Sequence, residues 1–143
     1  MIAAYLIFNG NTEAAFNFYK SVLGGEFTKF QRFSDTPHGD NMSEEDKVKI
    51  MHVTLETAHG IIRANDHIDF MGPFNSGNNF SLSIHTGSEE EATRVFNGLS
   101  NGGNITMPLE KVFWGAYFGM FTDKFGMKWM VHRLLGCLHC DID

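Results

Sequence analysis

Few side chains in this sequence combine chemical competence with a placement that suggests a site. His52 alternates with Val48, Ile50 and Thr54, so in an extended strand these four share one face. An imidazole titrating near neutrality can take up and return a proton at pH 7, which makes His52 the candidate catalytic base. A histidine hydrogen-bonded in a cavity wall is the competing reading. Arg63 lies between Ile62 and Ala64, where a cation facing an apolar hollow is costly unless it is paired. Its guanidinium could clamp a carboxylate or phosphate of a ligand through two parallel hydrogen bonds, or it could pair internally with Glu56 or Asp66. Asn79 and Ser81 share a face with Ser83 and His85 in a later run and supply polar lining. Trp114 alternates with Ala116 and Phe118, and Tyr117 with Gly119 and Phe121. One of these sets belongs to the core, and the other is free to stack on a planar or apolar ligand.

A metal site built from His52, His85, Asp66 and His132 is chemically feasible as a His-His-Asp set, but spacing alone does not bring these residues together. Cys137 and Cys140, with His139 between them, form C-x-x-C in the last seven residues. Zinc would need further ligands that no second cysteine pair supplies. A redox pair ordinarily opens a helix, so the expectation here is a surface tail. No nucleophilic triad or phosphate-cradling glycine loop is present, and Asn9-Gly10-Asn11 reads as a turn before a helix.

The elements that must position these residues follow from periodicity. Ile2 to Phe8 reads as a buried strand. Thr12 to Leu23 has helical spacing with an apolar stripe of Ala15, Phe18, Tyr19, Val22 and Leu23, stopped by Gly24-Gly25. Glu26 to Phe33 is a strand, and Ser34 to Lys47 a loop able to close over a cavity as a lid. Val48 to Thr57 and Gly60 to Asp66 pair as a hairpin, and His67 to Asn78 is a linker. The order then repeats. Asn79 to His85 is a strand, and Ser88 with Glu91 marks a capped helix whose stripe is Ala92, Val95, Phe96 and Leu99. Ile105 to Phe113, Ala116 to Thr122 and Met127 to His132 are strands. A shift of 77 positions lays Ala15 on Ala92, Tyr19 on Phe96 and Gly25 on Gly102.

The expected fold class is therefore α+β: two βαβββ modules, each with one helix covering one face of a four-stranded sheet. The uncovered faces form a cupped mixed sheet around a cavity, paired within the chain or across a dimer. The modules span about 1–70 and 78–133 of a single domain, with a tail at 134–143. The chain has 143 residues, 43% of them hydrophobic and 20% charged, with a net charge of -6. That composition supports a real core and argues against nucleic acid, whose phosphates call for a basic patch. No stretch is apolar enough to span a membrane and no leader pattern precedes the first strand, so a cytoplasmic protein is expected.

The run Tyr5-Leu6-Ile7-Phe8-Asn9-Gly10-Asn11 through Phe18-Tyr19 and Leu23-Gly24-Gly25 resembles the opening of glyoxalase/bleomycin-resistance proteins, the vicinal oxygen chelate superfamily. Met51-His52, Trp114-Gly115, Asp123-Lys124-Phe125-Gly126 and Trp129 are similar to its PhnB-like, or demethylubiquinone-methyltransferase-like, branch, with Lys124 in place of the usual proline. The resemblance covers about the first 133 residues. It implies the paired βαβββ fold, a homodimer and a site inside the cupped sheets. Metal-dependent glyoxalases set His, Glu, His and Glu in strands one, four, five and eight, around a divalent ion that polarises substrate oxygens. Those positions fall here on Ala4, Arg63, Asn79 and Met130, none a good ligand for such an ion.

Two functions are carried forward. In the first, the protein acts on a small oxygenated metabolite in a lyase- or isomerase-like reaction. His52 is the base, and Arg63, Asn79, Ser81, Trp114, Phe118 and Met130 contact the substrate. In the second, a metal-free protein sequesters a small molecule, as bleomycin-resistance proteins do. No cofactor is expected in either, a divalent ion at a nonstandard site being the alternative.

Overall fold

The computed structural model describes residues 2–113 and 115–134. Cys137, His139, Cys140 and Trp114, all singled out above, lie outside the described residues. The chain divides into two compact units between Ser76 and Gly77. In the first, the order is β1 (Ala4–Phe8), α1 (Thr12–Leu23), β2 (Glu26–Arg32), a short α2 (Glu44–Lys47), β3 (Ile50–Thr57) and β4 (Gly60–Asp66). The second repeats it as β5 (Leu82–His85), α3 (Glu89–Ser100), β6 (Asn104–Val112), β7 (Ala116–Thr122) and β8 (Lys128–Leu134). Each unit holds a four-stranded mixed sheet, ordered β1-β4-β3-β2 and β5-β8-β7-β6. The outer strands β1 and β5 run parallel to β4 and β8, and the remaining pairs are antiparallel. This is the expected α+β class with two βαβββ units.

Within the first unit α1 covers one face. Its buried positions Thr12, Ala15, Phe16, Tyr19 and Leu23 follow the spacing of one helical stripe. They lie against Leu6, Phe8, Val53, Leu55 and Ala64, all buried. Phe16 meets Phe8 edge-on at a centroid distance of 6.2 Å, and each such ring contributes about 1.5–3 kcal/mol through burial. Phe16 was absent from the expected stripe, which named Phe18 and Val22; both of those are only half-buried. The hydrophobic face is rotated because Thr12 and Phe16, not Phe18, continue the line through Ala15 and Tyr19.

In the second unit Ala92, Val95, Phe96 and Leu99 are buried as expected, with Ser88 Oγ accepting from the Glu91 amide at 3.1 Å. Phe96 packs edge-on against Phe121 at 5.1 Å, and a Cβ on Gly119 would come within 2.6 Å of the Phe96 ring. Gly119 is what lets α3 lie so close to β7.

Two buried carboxylates tie the turns of each unit. Asp66 Oδ1 accepts from the Thr12 amide at 3.0 Å, and its Oδ2 from the Ile50 amide at 2.8 Å. One side chain thus joins the start of α1, the start of β3 and the end of β4. Asp123 accepts from the amides of Phe125 and Met127 and from Trp129 Nε1 at 2.8 Å, which rigidifies the Asp-Lys-Phe-Gly turn.

Three expectations are corrected. The fifth strand begins at Leu82, so Asn79 and Ser81 precede it, and Asn79 is exposed. Asp66 shares the face of Ile62 and Ala64 and spends both carboxylate oxygens on backbone amides, which removes it from any metal set with His52. The segment Ser34 to Lys47 is not an open loop. It folds into 3-10 turns and α2, and Arg32 clips its two ends together by donating to the Val48 carbonyl at 2.8 Å while pairing with Glu13.

Candidate functional site

Strand pairing decides which residues share the uncovered face of the first sheet. Tyr5 pairs with Arg63, Arg63 with Thr54, and Thr54 with Lys29, one row across all four strands. Ile7 and Asn65 pair in the next row, as do His52 and Gln31. His52 is the hub. Its Nε2 lies 3.0 Å from Thr54 Oγ1, and the Tyr5 hydroxyl lies 3.5 Å from its Nδ1. With Nε2–H donating to Thr54, Nδ1 keeps a lone pair toward Tyr5. Burial lowers the His52 pKa below the usual 6.5, and the nearby Lys29 and Arg63 cations lower it further. Burial raises the Tyr5 pKa, so its phenol stays a donor. The result is a neutral imidazole beside a protonated phenol, an arrangement able to accept a proton from a ligand and to hold its oxygen.

Arg63 is half-buried, and among the described residues it forms no ion pair with Glu56 or Asp66. Asp66 faces the helix side, and Glu56 is exposed one row further along β3. The internal-pairing reading of Arg63 is thereby removed.

The second unit's uncovered face carries Ser83, His85, Met130, His132 and Phe118, placed there by the β5–β8 and β7–β8 registers. His85 and His132 pair directly, their rings stacked at 4.8 Å and 10°. Phe118 approaches His132 at 4.7 Å. Burial, then the neighbouring His85, lowers the His132 pKa below 6.5. This imidazole pair was named only as part of a metal set. Its alternation with Ser83 on β5 was the available signal, but the facing register of β8 was not.

A family model described as the glyoxalase/bleomycin resistance protein/dioxygenase superfamily matches residues 1–131. The chain belongs to this superfamily. It is 30% identical over 139 residues to the Escherichia coli protein YjdN, covering 92% of this chain and 93% of that one. The solved structure of protein PA1353 from Pseudomonas aeruginosa shares 40% identity with a TM-score of 0.84, over 94% of this superfamily member and 98% of that chain. A Bacillus cereus PhnB protein, described as a putative 3-demethylubiquinone-9 3-methyltransferase, is 27% identical with a TM-score of 0.76, over 92% and 98% of the two chains.

The superfamily's divalent ion can be tested against these side chains. Ala4 pairs with Ile62 and shares the face of Leu6, so the strand-one residue beside Arg63 is Tyr5. In the second unit Met130 pairs with Ser83, with Asn79 outside the strand. A protonated phenol, a guanidinium, a hydroxyl and a thioether are a poor donor set for a hard or borderline divalent ion. Among the described residues no group of three or more His, Cys, Asp or Glu side chains could hold a metal ion. The residues at these positions do not fit the metal-dependent glyoxalase chemistry.

Proposed function

We propose that the uncovered face of the first sheet is the ligand surface of a small-molecule-binding member of the superfamily. His52 acts there as a base in a lyase- or isomerase-like proton transfer. The observation that carries this reading is the Tyr5–His52–Thr54 line, an imidazole whose pKa is lowered by burial, with Nε2 against the Thr54 hydroxyl and Nδ1 against the Tyr5 phenol. Nδ1 would take a proton made acidic by an adjacent carbonyl, and Tyr5 would donate to the oxygen on which charge develops. Arg63 orients the substrate.

Deuterium incorporation into a panel of small α-hydroxyketones and hydroxy acids in heavy water tests the enzymatic reading. The native protein is expected to exchange at least one of them, with exchange lost in His52→Ala and reduced in Tyr5→Phe. A second reading, metal-free sequestration of a small molecule, is favoured by the side chains at Tyr5, Arg63, Ser83 and Met130, which do not fit a divalent ion. Saturable binding without exchange of any ligand selects it. In either case we take the protein as a cytoplasmic homodimer. A monomer by light scattering at high concentration refutes the dimer.

A further inference from the structure

The row Tyr5–Arg63–Thr54–Lys29 places two cations on one sheet face with a hydroxyl between them and a phenol at one end. Adjacent strands lie about 4.8 Å apart, so the Arg63 and Lys29 backbones are about 10 Å apart. Their long side chains can therefore converge on one small group above Thr54. Among the described residues neither the half-buried Arg63 nor the exposed Lys29 forms an ion pair. Glu56, two residues from Thr54 on the same face, pairs with neither. A half-buried guanidinium on a sheet interior is costly to leave unpaired, and no carboxylate among the described residues is paired with it.

We propose that Arg63 and Lys29, with the Tyr5 and Thr54 hydroxyls, form a binding site for the oxyanion group of a small ligand, a carboxylate or a phosphate. Arg63 supplies a planar fork matched to two oxygens, Lys29 a point charge from the edge strand β2 on the same face, and the hydroxyls neutral hydrogen bonds. The proposal deepens the reading of this face as the ligand surface and rests on it, but it requires no catalysis by His52. His52 also supplies its reporter. Burial, and after it the Lys29 and Arg63 cations, depress the imidazole pKa, so an anion neutralising the two cations removes part of the lowering and is expected to move that pKa upward.

The test is a titration of the full chain with inorganic phosphate and, separately, with succinate, following the His52 ring resonances by NMR across pH. Saturable binding with an upward shift of the His52 pKa is expected for at least one anion, and the tighter of the two identifies the ligand group. Arg63→Gln should weaken binding by about tenfold or more, the loss of a charge-assisted hydrogen-bond pair. Lys29→Gln should weaken it by a smaller factor. Lys111→Gln, which removes an exposed charge in the second unit, should change it little. Arg63→Lys, which keeps the charge but not the fork, gives a second reading if the Gln variant does not fold, and should retain only part of the affinity. Equal losses in the Lys111 and Arg63 variants, or anion binding that leaves His52 unmoved, overturn the assignment. Catechol, a neutral probe, separates the two claims. His52 perturbed by catechol but by neither anion overturns the oxyanion site and leaves the ligand surface standing, whereas a His52 unmoved by all three probes sinks both.

Discussion

Replacing Asp66 by alanine removes the acceptor for two backbone amides, Thr12 N at 3.0 Å and Ile50 N at 2.8 Å, at a position only 2% exposed. Each buried donor left unsatisfied costs about 1–3 kcal/mol. Release of the carboxylate from a desolvated setting offsets part of that sum, so the net loss should be about 3 kcal/mol. Against a typical domain stability of roughly 5–15 kcal/mol, this is a large fraction. Asparagine keeps one oxygen but turns its amide N–H₂ toward the other donor, so Asp66→Asn should lose about 2 kcal/mol by the same accounting. Urea unfolding followed by far-ultraviolet circular dichroism measures the loss, and hydrogen exchange localises it. Protection of the Thr12 and Ile50 amides should fall by about a hundredfold in the alanine variant. A loss below about 0.5 kcal/mol, the range of an ordinary surface change, refutes the structural role. So does a deficit that appears only with added divalent ions and disappears in chelator, because it returns Asp66 to a metal-binding part.

Other consequences are equally direct. Because folding lowers the pKa of His52 and His132, the unfolded chain binds more protons just below pH 6.5. Their contribution is therefore fully present above about pH 6.5 and is lost as pH falls toward the lowered folded values. Melting curves between pH 7.5 and 5 (a range of about 2.5 units chosen around the usual imidazole value) should show this slope reduced in a His52→Gln, His132→Gln double variant. An unchanged slope would assign the acid sensitivity to other groups. Trp129→Phe keeps the ring in the core but removes the N–H donor to Asp123 Oδ2, so it should cost about 1–3 kcal/mol by urea unfolding. A neutral result would mean that the indole N–H bond adds nothing to the turn. Gly119→Ala pushes a methyl toward Phe96 Cε2 and the Leu109 backbone and should destabilise by about 1–3 kcal/mol. A melting temperature equal to that of the native protein would show that α3 can back away.

Local information was enough for most elements. α1 matched the expected Thr12 to Leu23, β4 Gly60 to Asp66 and β7 Ala116 to Thr122, because apolar periodicity and glycine stops act over a few residues. The Ser88–Glu91 cap was legible for the same reason. Alternation placed His52 with Thr54 on one face, and the hydrogen bond between them follows from that i, i+2 neighbourhood. The segment Ser34 to Lys47 misled by composition. Its polar residues do read as a loop, yet Phe33 is buried and Arg32 fastens the far end.

What alternation leaves open is the partner of each strand, and the site depends on it. Ala4 and Tyr5 are adjacent in the chain, and only the parallel register with β4 puts Tyr5 rather than Ala4 beside Arg63. Alternation sets Arg63 and Asp66 on opposite faces of β4, but only the fold brings Asp66 to the Thr12 and Ile50 amides and sets Arg63 in a row with Thr54 and Lys29. A one-residue slip inverts every side chain on a strand, so face assignments are properties of the sheet rather than of the segment. The sequence by itself determined the α+β class, the doubled βαβββ order and the candidacy of His52 and Arg63, because each depends on residue type and short-range spacing. Tertiary structure alone decided that His52 meets Tyr5, that Arg63 shares a row with Lys29, and that His85 stacks on His132. These contacts join residues between 34 and 47 positions apart in the chain, and hydrogen bonding between strands, which the linear order does not encode, brings them together.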